Sequence, residues 1–438
     1  MIFTISTLLL ILEFYFSFKK PINSLIISAI ILFFIPFVVK FNLMGINLNV
    51  FNLSTSIILL CLLKNTKLQI DTKFKKYYIL TFLYFFCTSF FCSLDSFSTS
   101  TYIKNIVLNF LELYCIGYCM MFIFITPSSI RKFNKVIIYS SIIIGLYGFF
   151  NYISKSNPYI LYVCSVTDST DMITGFLNEQ RGVILSRVSS TFIHPLIYGE
   201  VMLLTICYLS YQLYEKIEFK YYITLIIFLF VSAILCGSRS TIIPLFLVPF
   251  IYLVYVKRKY IAKYLILFLC LMPIISVIIP QKYQNSLENL LFFWNENNQI
   301  GGSSKSLRIE QLKTSLNIIE DSPLFGKGIG YIKEFGDKHP DMYGYESVVF
   351  QTLIEYGIIG SFVFFFFYYF LFKFLYNKTT SKIEKSQVVT LCGCYLICIL
   401  FTGISYSTFS YFLLLYFMTY YSFRGKNTRQ RYMMYIRY

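Results

Sequence analysis

Long apolar segments recur along the whole chain, separated by short stretches that carry most of its charge. Each is close to the roughly 20 residues that a helix needs to cross a bilayer. Only 13% of the 438 residues are charged and 57% are hydrophobic, too little charge to cover a soluble domain. Strand-like alternation is absent from the sequence, so helices must satisfy the backbone in lipid. The sequence therefore predicts an all-α, polytopic integral membrane protein with about 12–14 transmembrane helices.

The apolar segments define a specific set of predicted helices. The amino-terminal segment lacks a basic start and a small-residue cleavage site, so it is predicted to be the first membrane helix and not a signal peptide. The predicted regions are 1–180, with the first helices and an outer loop; 181–360, a core that includes a large outer loop at 281–348; and 361–438, with the last helices and a basic tail. The predicted helices are 2–18, 22–39, 46–63, 77–94, 103–125, 136–153, 195–212, 221–236, 240–256, 261–280, 349–371, 387–404 and 406–422.

The net charge of +17 does not indicate nucleic-acid binding, because the basic residues lie in short clusters between apolar segments. Such clusters are typical of cytoplasmic loops. With the carboxyl-terminal tail placed in the cytoplasm, 25 of the 38 basic residues fall on the cytoplasmic side. The short outer loops then contain only Lys40, Lys104 and Arg239. The predicted location is a bacterial cytoplasmic (inner) membrane, crossed many times, with a cytoplasmic carboxyl terminus.

The loop 281–348 is predicted to contain an amphipathic helix that lies along the outer membrane surface. Pro323 ends the helical pattern, and Arg308 lies on a face next to the apolar one. Residues 306–320 place apolar side chains at spacings of three and four, which is one face of a helix: Ile309, Leu312, Leu316 and Ile319.

A first candidate cluster lies at the entry to the seventh predicted helix and contains Arg187, His194 and Glu200. An arginine here either grips a phosphate with two hydrogen bonds or anchors a helix end at the interface. A carboxylate within a membrane helix is a functional candidate by default. Glu200 is expected either to orient His194 or to pair with an arginine.

Three further clusters fall on the predicted outer side. Arg239 lies in a tight turn between two apolar helices and either binds substrate or extends to the interface. The glycines of segment 321–330 do not match a phosphate-binding loop, so a sharp turn with close backbone approach is expected. His339 is followed by Glu346 and has aspartates on both sides, which suits a general base better than a metal site.

Several catalytic motifs are missing from the sequence. There is no DxD, GxSxG or HExxH pattern, and the aspartates at positions 168 and 171 have the wrong spacing for the first. These patterns mark metal-dependent nucleotide-sugar enzymes, serine hydrolases and zinc proteases. The sequence therefore predicts neither a metal site nor a cofactor.

The chain resembles the O-antigen polymerase and O-antigen ligase family of bacterial envelope glycan assembly. The resemblance rests on motifs spread over residues 187–360: Arg187 with Phe192 and Pro195, the turn Ser238-Arg239-Ser240, the segment from Arg308 through Asp321-Ser-Pro-Leu-Phe-Gly326-x-Gly328-x-Gly330, His339, and Glu355-Tyr-Gly357-Ile-Ile-Gly360. The family often has a glycine before the phenylalanine and an asparagine after the proline, whereas this chain has Ser190-Thr191 and Leu196.

The resemblance implies a metal-independent membrane glycosyltransferase whose donor is a glycan on undecaprenyl diphosphate. Arg187 and Arg239 would hold the diphosphate, Arg308 would support the phosphates or the sugar, and His339 would activate the acceptor hydroxyl. His194 is an additional histidine that would compete for the role of base.

The expected activity is polymerisation of lipid-linked repeat units of O-antigen or capsule. Transfer to lipid A core by a ligase, transport of the glycan by a flippase and a non-catalytic scaffold are the alternatives. The expected partners are the undecaprenyl-diphosphate-linked glycan and the bilayer, with a chain-length regulator protein as a further candidate and no nucleic acid.

Overall fold

The computed structural model describes residues 1–43, 45–62, 75, 78–79, 99–122, 127–167, 180–181, 185–214, 219–263, 266, 305–339, 345 and 347–435. Helices make up most of these residues. The described strands form two antiparallel hairpins, β1 Lys40–Leu43 with β2 Ile46–Asn49 and β3 Gln180–Arg181 with β4 Leu185–Ser186.

The helices follow the apolar segments of the sequence. Those before residue 190 are α1 Ile2–Lys19, α2 Pro21–Phe34, α3 Val50–Leu62, α4 Thr99–Asn109, α5 Cys115–Phe122, α6 Pro127–Ser154 and α7 Pro158–Thr167. A single π-helical turn, Phe110–Tyr114, joins α4 to α5. The later helices are α8 Pro195–Tyr214, α9 Phe219–Ile234, α10 Arg239–Val256, α11 Lys305–Asp321, α12 Tyr331–Lys338, α13 Val348–Asn377, α14 Lys382–Phe401 and α15 Phe409–Tyr435.

Six described helices are long and apolar enough to cross a membrane: Ile2–Lys19, Ser128–Ser154, Pro195–Leu213, Arg239–Val256, Val348–Asn377 and Lys382–Phe401. The predicted all-α, polytopic membrane class is confirmed. The predicted helices 77–94 and 261–280 lie largely outside the described residues, so the full number of spans stays a prediction.

The predicted helix 46–63 is wrong at its start, because the first four of these residues form strand β2 and α3 begins at Val50. The side chain of Asn49 accepts a hydrogen bond from the Asn52 backbone N–H at 2.7 Å, which satisfies a first-turn donor of the helix. Ahead of it, Gly45 adopts a φ of +81°, and its N–H donates to the Asn42 side chain at 3.0 Å. The turn chemistry thus ends the apolar pattern before the helix begins.

The chain forms two compact units that interleave along the sequence. Unit 1 comprises Met1–Ser140, Lys313–Lys378 and Gly403–Tyr438, and unit 2 comprises Ser141–Leu312 and Thr379–Thr402. The three regions predicted from the sequence follow chain order and stay a prediction.

In unit 1, a buried carboxyl group links the first three helices. The Glu13 carboxyl oxygen Oε1 accepts hydrogen bonds from the Ser28 hydroxyl at 2.6 Å and the Ser54 hydroxyl at 2.7 Å. The backbone carbonyl of Glu13 accepts from Ser17 at 2.8 Å and Ser24 at 3.0 Å. A polar group without partners is costly in lipid. The serines therefore make Glu13 a specific link between α1, α2 and α3.

We expect Glu13→Ala to lower the stability of unit 1 by about 2 kcal/mol, because two buried hydroxyls lose their acceptor and a cavity forms. Glu13→Gln keeps an oxygen acceptor for both serines and is expected to lose much less. Thermal unfolding of the purified proteins in detergent measures the difference, with Glu310→Ala on the exposed face of α11 as a matched control. Equal melting temperatures for Glu13→Ala and the control would contradict this role.

In unit 2, cysteine and glutamine side chains satisfy carbonyl groups inside the helix bundle. Pro244 has no N–H to donate to Ser240 one turn earlier in α10, and the Cys398 thiol of α14 donates to that carbonyl at 3.4 Å. The Gln387 amide of α14 donates to the Cys207 carbonyl of α8 at 2.6 Å. Nine cysteines in the described part of the chain form no disulfide and are buried, so they pack as small apolar side chains.

Candidate functional site

Two of the arginines predicted to bind substrate lie in unit 2, at a feature named here the arginine turn, which consists of Arg187 and the segment Cys236–Arg239. The Arg187 Nε–H donates to the Cys236 carbonyl at 3.3 Å. Gly237 has a φ of +63°, and a β-carbon at that position would lie 3.5 Å from the Arg187 Cγ atom. Arg239 follows as the first residue of α10. The tertiary structure therefore packs Arg187 against the turn that leads into Arg239, although the two arginines are 52 positions apart in the chain.

The chemistry of the arginine turn favours an anion with more than one charge. Two guanidinium groups bind phosphate oxygens in bidentate geometry and keep their charge at any physiological pH. The amino-terminal end of the 18-residue helix α10 adds N–H groups and the positive end of a helix dipole. Arg187 is only 5% exposed. Burial and the hydrogen bond to the Cys236 carbonyl together restrict the position of its side chain.

Asn157 braces the segment that follows Arg187. Its amide donates to the Ser189 hydroxyl at 3.0 Å and to the Ser190 carbonyl at 2.7 Å, while its side-chain oxygen caps α7 by accepting from Ile160 N–H at 3.1 Å. Ser190 adopts a φ of +53°, the left-handed region that glycine adopts most readily. The resembled family often has a glycine before the phenylalanine, whereas this chain has Ser190-Thr191 there. A serine, Ser190, therefore adopts a backbone conformation that glycine would adopt more readily.

His194 serves as a helix cap in this structure. Its Nδ1 atom accepts a hydrogen bond from the Leu196 backbone N–H at 3.1 Å, and α8 begins at the next residue, Pro195. Because Nδ1 accepts, the proton of the neutral ring is on Nε2. Glu200 is fully buried one and a half turns into the same helix. A capping imidazole must break this hydrogen bond before Nδ1 can take up a proton.

In unit 1, the glycine-rich segment 323–330 pairs with a kink in α13. Gly357 has a φ of +65° within this helix, which frees backbone groups on both sides of the kink. The Lys327 and Gly328 N–H groups donate to the carbonyls of residues 354 and 355 at 2.8 and 3.0 Å. In return, the N–H groups of residues 358 and 359 donate to Pro323 and Leu324 at 2.9 and 3.2 Å. The expected close backbone approach is confirmed, and the two sequence motifs form one structural element.

We expect Gly357→Ala to lower the stability by about 3 kcal/mol or more, because its φ is unfavourable for alanine and a β-carbon would overlap the Leu324 carbonyl. The control is Gly393→Ala in α14, where a β-carbon meets no atom within 4 Å, so stability should rise slightly. Membrane levels and thermal unfolding in detergent measure both variants. Wild-type behaviour of Gly357→Ala would show that the kink is not required.

The same kink orients α12. The Glu355 side chain accepts a hydrogen bond from the Gly330 N–H at 2.9 Å and also bonds the backbone of Ile332, so it caps the first turn of α12. The Asn105 amide of α4 donates to the Ile329 carbonyl at 3.0 Å. Residues Ile318, Tyr345 and Ile354 form the apolar core beneath this helix. The position of α12 is therefore determined by α4, α11 and α13 together.

His339 lies at the carboxyl-terminal cap of α12, and its side chain is exposed. Its ring stacks on Phe335 with the centroids 4.2 Å apart, and Phe335 stacks on Tyr331 one turn earlier. The His339 Nδ1 atom lies 3.1 Å from the Phe335 carbonyl. A carbonyl only accepts, so Nδ1 carries the proton and Nε2 keeps its lone pair. Of the two histidines, His339 is the one arranged to act as a base.

The remaining predicted site residues are less well defined. Arg308 lies in α11, within the part of the helix that belongs to unit 2, and Glu346 lies outside the described residues. The helix at 306–320 is confirmed. Its apolar residues Ile309, Leu312 and Leu316 are 40–51% exposed, as expected of a face that contacts lipid, whereas Gln311 and Ser315 are buried. Within the described residues, no group of three histidine, cysteine or acidic side chains is arranged to hold a metal ion.

The fold and these elements define a polytopic, α-helical membrane protein with Arg187 packed against the turn that leads into Arg239. Residues 224–365 match the family model described as O-Antigen ligase, which confirms the resemblance to the O-antigen polymerase and ligase family. The matched region contains Arg239, Arg308 and His339, whereas Arg187 and His194 precede it. A comparison with curated proteins found no match. The family match supports an O-antigen ligase- or polymerase-like enzyme.

Two residues of these elements were missed by the sequence reasoning. Asn157 precedes a proline at the start of a helix, a pattern typical of an N-cap, and that signal was available. Glu355 was read as part of a motif with no assigned role. Its capping of α12 depends on a contact between residues 25 positions apart, which no local pattern reveals.

Proposed function

We propose that this protein is a glycan polymerase, which joins repeat units carried on undecaprenyl diphosphate at the outer face of the cytoplasmic membrane. The observation that carries the proposal is the arginine turn, because Arg187 comes from a distant part of the chain to contact the turn that leads into Arg239. A diphosphate leaving group needs two or more cationic groups to neutralise its charge when no metal does so. The family match over residues 224–365 supports the glycan as the group that is transferred.

The proposed reaction is a displacement at the anomeric carbon of the donor sugar. The acceptor hydroxyl oxygen forms a bond to that carbon, and the bond between the carbon and the diphosphate oxygen breaks. The hydroxyl proton passes to Nε2 of His339, and undecaprenyl diphosphate leaves with the bonding electron pair. The arginines stabilise the negative charge that develops on the leaving oxygen. Arg308 supports the sugar or the phosphates, and His194, Glu200 and Glu346 are assigned to substrate binding.

A ligase that transfers finished glycan to lipid A core is the second candidate, because the matched family is described as O-Antigen ligase. Both reactions use the same donor chemistry and differ in the acceptor hydroxyl. A flippase is less well supported, because the arginine turn and His339 lie at helix ends and not in the middle of membrane helices, where transporters bind their substrates.

The test uses a strain that lacks the gene and makes the lipid-linked repeat unit. Surface and membrane glycans are separated on a gel with and without the wild-type gene. The polymerase proposal expects single repeats on their carrier or core without the gene, and a ladder of lengths with it. Long glycan that accumulates unattached without the gene would indicate a ligase. Repeat units retained on the cytoplasmic side of the membrane would indicate a flippase.

A further inference from the structure

Unit 1 carries a second group of basic side chains, named here the lysine cluster: Lys40 on β1, Lys104 on α4 and Lys333 on α12. Short outer loops are depleted of basic residues, and the predicted topology leaves only Lys40, Lys104 and Arg239 there. Arg239 belongs to the arginine turn. Lys40 and Lys104 lie with Lys333 in the lysine cluster. The three basic residues of the predicted short outer loops therefore belong to two features, the arginine turn and the lysine cluster.

Hydrogen bonds hold the three elements of the lysine cluster together. The Lys104 ammonium group donates to the Gly45 carbonyl at 3.2 Å, which joins α4 to the turn of the first hairpin. One residue later, the Asn105 amide donates to Ile329 at 3.0 Å, which joins α4 to the segment before α12. The lysines therefore do not lie on independent loops, because the elements that carry them are fixed to one another.

A carboxylate lies within the same cluster. In the first hairpin Lys40 is paired with Asn49, and the Asn49 amide lies 3.4 Å from the Glu112 carboxyl oxygen. Glu112 belongs to the π-helical turn Phe110–Tyr114, and its side chain is exposed although it lies in the middle of the predicted membrane helix 103–125. The Ser410 hydroxyl donates a hydrogen bond to the Glu112 backbone carbonyl, which stabilises the turn. Such turns are frequent at functional sites.

The electrostatics of the cluster favour an added anion. Desolvation by surrounding atoms lowers the pKa of the Lys40 ammonium group. The charges of Lys333 and Lys104 lower this pKa further, whereas the Glu112 carboxylate raises it. Among the described groups that act electrostatically on Lys40, two ammonium groups face one carboxylate. Positive charge is therefore in excess, and the mutual repulsion of the ammonium groups is relieved when an anion binds.

We propose that the lysine cluster binds the diphosphate of a second lipid-linked substrate. The identity of that ligand rests on the proposed function, because polymerisation joins two glycans that each carry a diphosphate. A diphosphate diester has about two negative charges, and lysine binds phosphate as a point charge without fixed geometry. The arginine turn then serves one substrate and the lysine cluster the other, with the exposed Glu112 side chain available to hydroxyl groups of the adjoining sugar.

The test measures binding of inorganic pyrophosphate to the purified full-length protein by isothermal titration calorimetry in phosphatidylcholine nanodiscs. The wild type is expected to bind two equivalents of pyrophosphate. The double variant K40Q/K333Q is expected to bind one, because its affinity at the lysine cluster falls about tenfold or more. Lys155→Gln, an exposed lysine in the turn between α6 and α7, is the matched control and should bind as the wild type does. Thermal unfolding verifies that the double variant is folded.

The arms of this experiment separate the two proposals. Unchanged stoichiometry and affinity in K40Q/K333Q, or no binding by the wild type, would overturn the lysine site. If Arg239→Gln keeps both equivalents while the lysine variant loses one, the lysine site stands and the proposed role of the arginine turn fails. If anionic phosphatidylglycerol in the nanodisc displaces pyrophosphate from the lysine cluster, the cluster is a general headgroup site, and the assignment to the lipid-linked diphosphate is overturned.

Discussion

His339→Gln is expected to reduce the rate of glycan transfer by about 10²- to 10⁴-fold, the usual effect of removing a general base. The His339 Nδ1 atom lies 3.1 Å from the Phe335 carbonyl oxygen, so in the proposed mechanism the Nε2 lone pair accepts the proton of the attacking hydroxyl. Glutamine keeps the polarity of the side chain but cannot take up that proton. The measurement is the initial rate of transfer by purified protein supplied with the lipid-linked repeat.

A variant at the second histidine separates a base from a structural histidine. His194→Asn is the comparison, because asparagine can still accept the Leu196 N–H in the cap. If His194→Asn loses transfer and His339→Gln does not, the base has been assigned to the wrong histidine.

Arg239→Gln is expected to reduce transfer by about 10²- to 10³-fold, because the charge that develops on the leaving diphosphate loses a cationic partner. Arg187→Gln should have a similar effect on the rate and should also lower stability by about 1–3 kcal/mol, since the buried Cys236 carbonyl loses its donor. Rates and thermal unfolding are measured on the same preparations. Arg258→Gln, an exposed arginine on the predicted cytoplasmic side, is the matched control for loss of one positive charge.

Lysine replacements distinguish charge from geometry at the arginine turn. Arg239→Lys and Arg187→Lys keep the positive charge but lose the planar fork that binds two phosphate oxygens at once. We expect both to recover part of the rate lost in the glutamine variants. A glutamine variant that is folded and transfers glycan as fast as Arg258→Gln would remove that arginine from the proposed site.

The candidate site could be predicted from the sequence in its parts but not in its arrangement. Arg187, Arg239 and His339 stand out because charged or titratable residues are rare in a chain so apolar. The choice between His194 and His339 stayed open, because it depends on which nitrogen of each ring already has a partner. The glycines of segment 323–330 indicated a tight turn, whereas their pairing with the kink at Gly357 required the fold.

The sequence by itself determined the class of this protein, because the length and apolarity of its helices follow directly from the thickness and chemistry of a bilayer. The start of α3 was predicted wrongly, since hydropathy does not register the Asn49 cap and the turn at Gly45 that precede it. Only the tertiary structure decided that Arg187 meets the turn before Arg239 and that Glu355 orients the helix leading to His339. Those contacts join distant segments, and their hydrogen bonds depend on packing that no local pattern encodes.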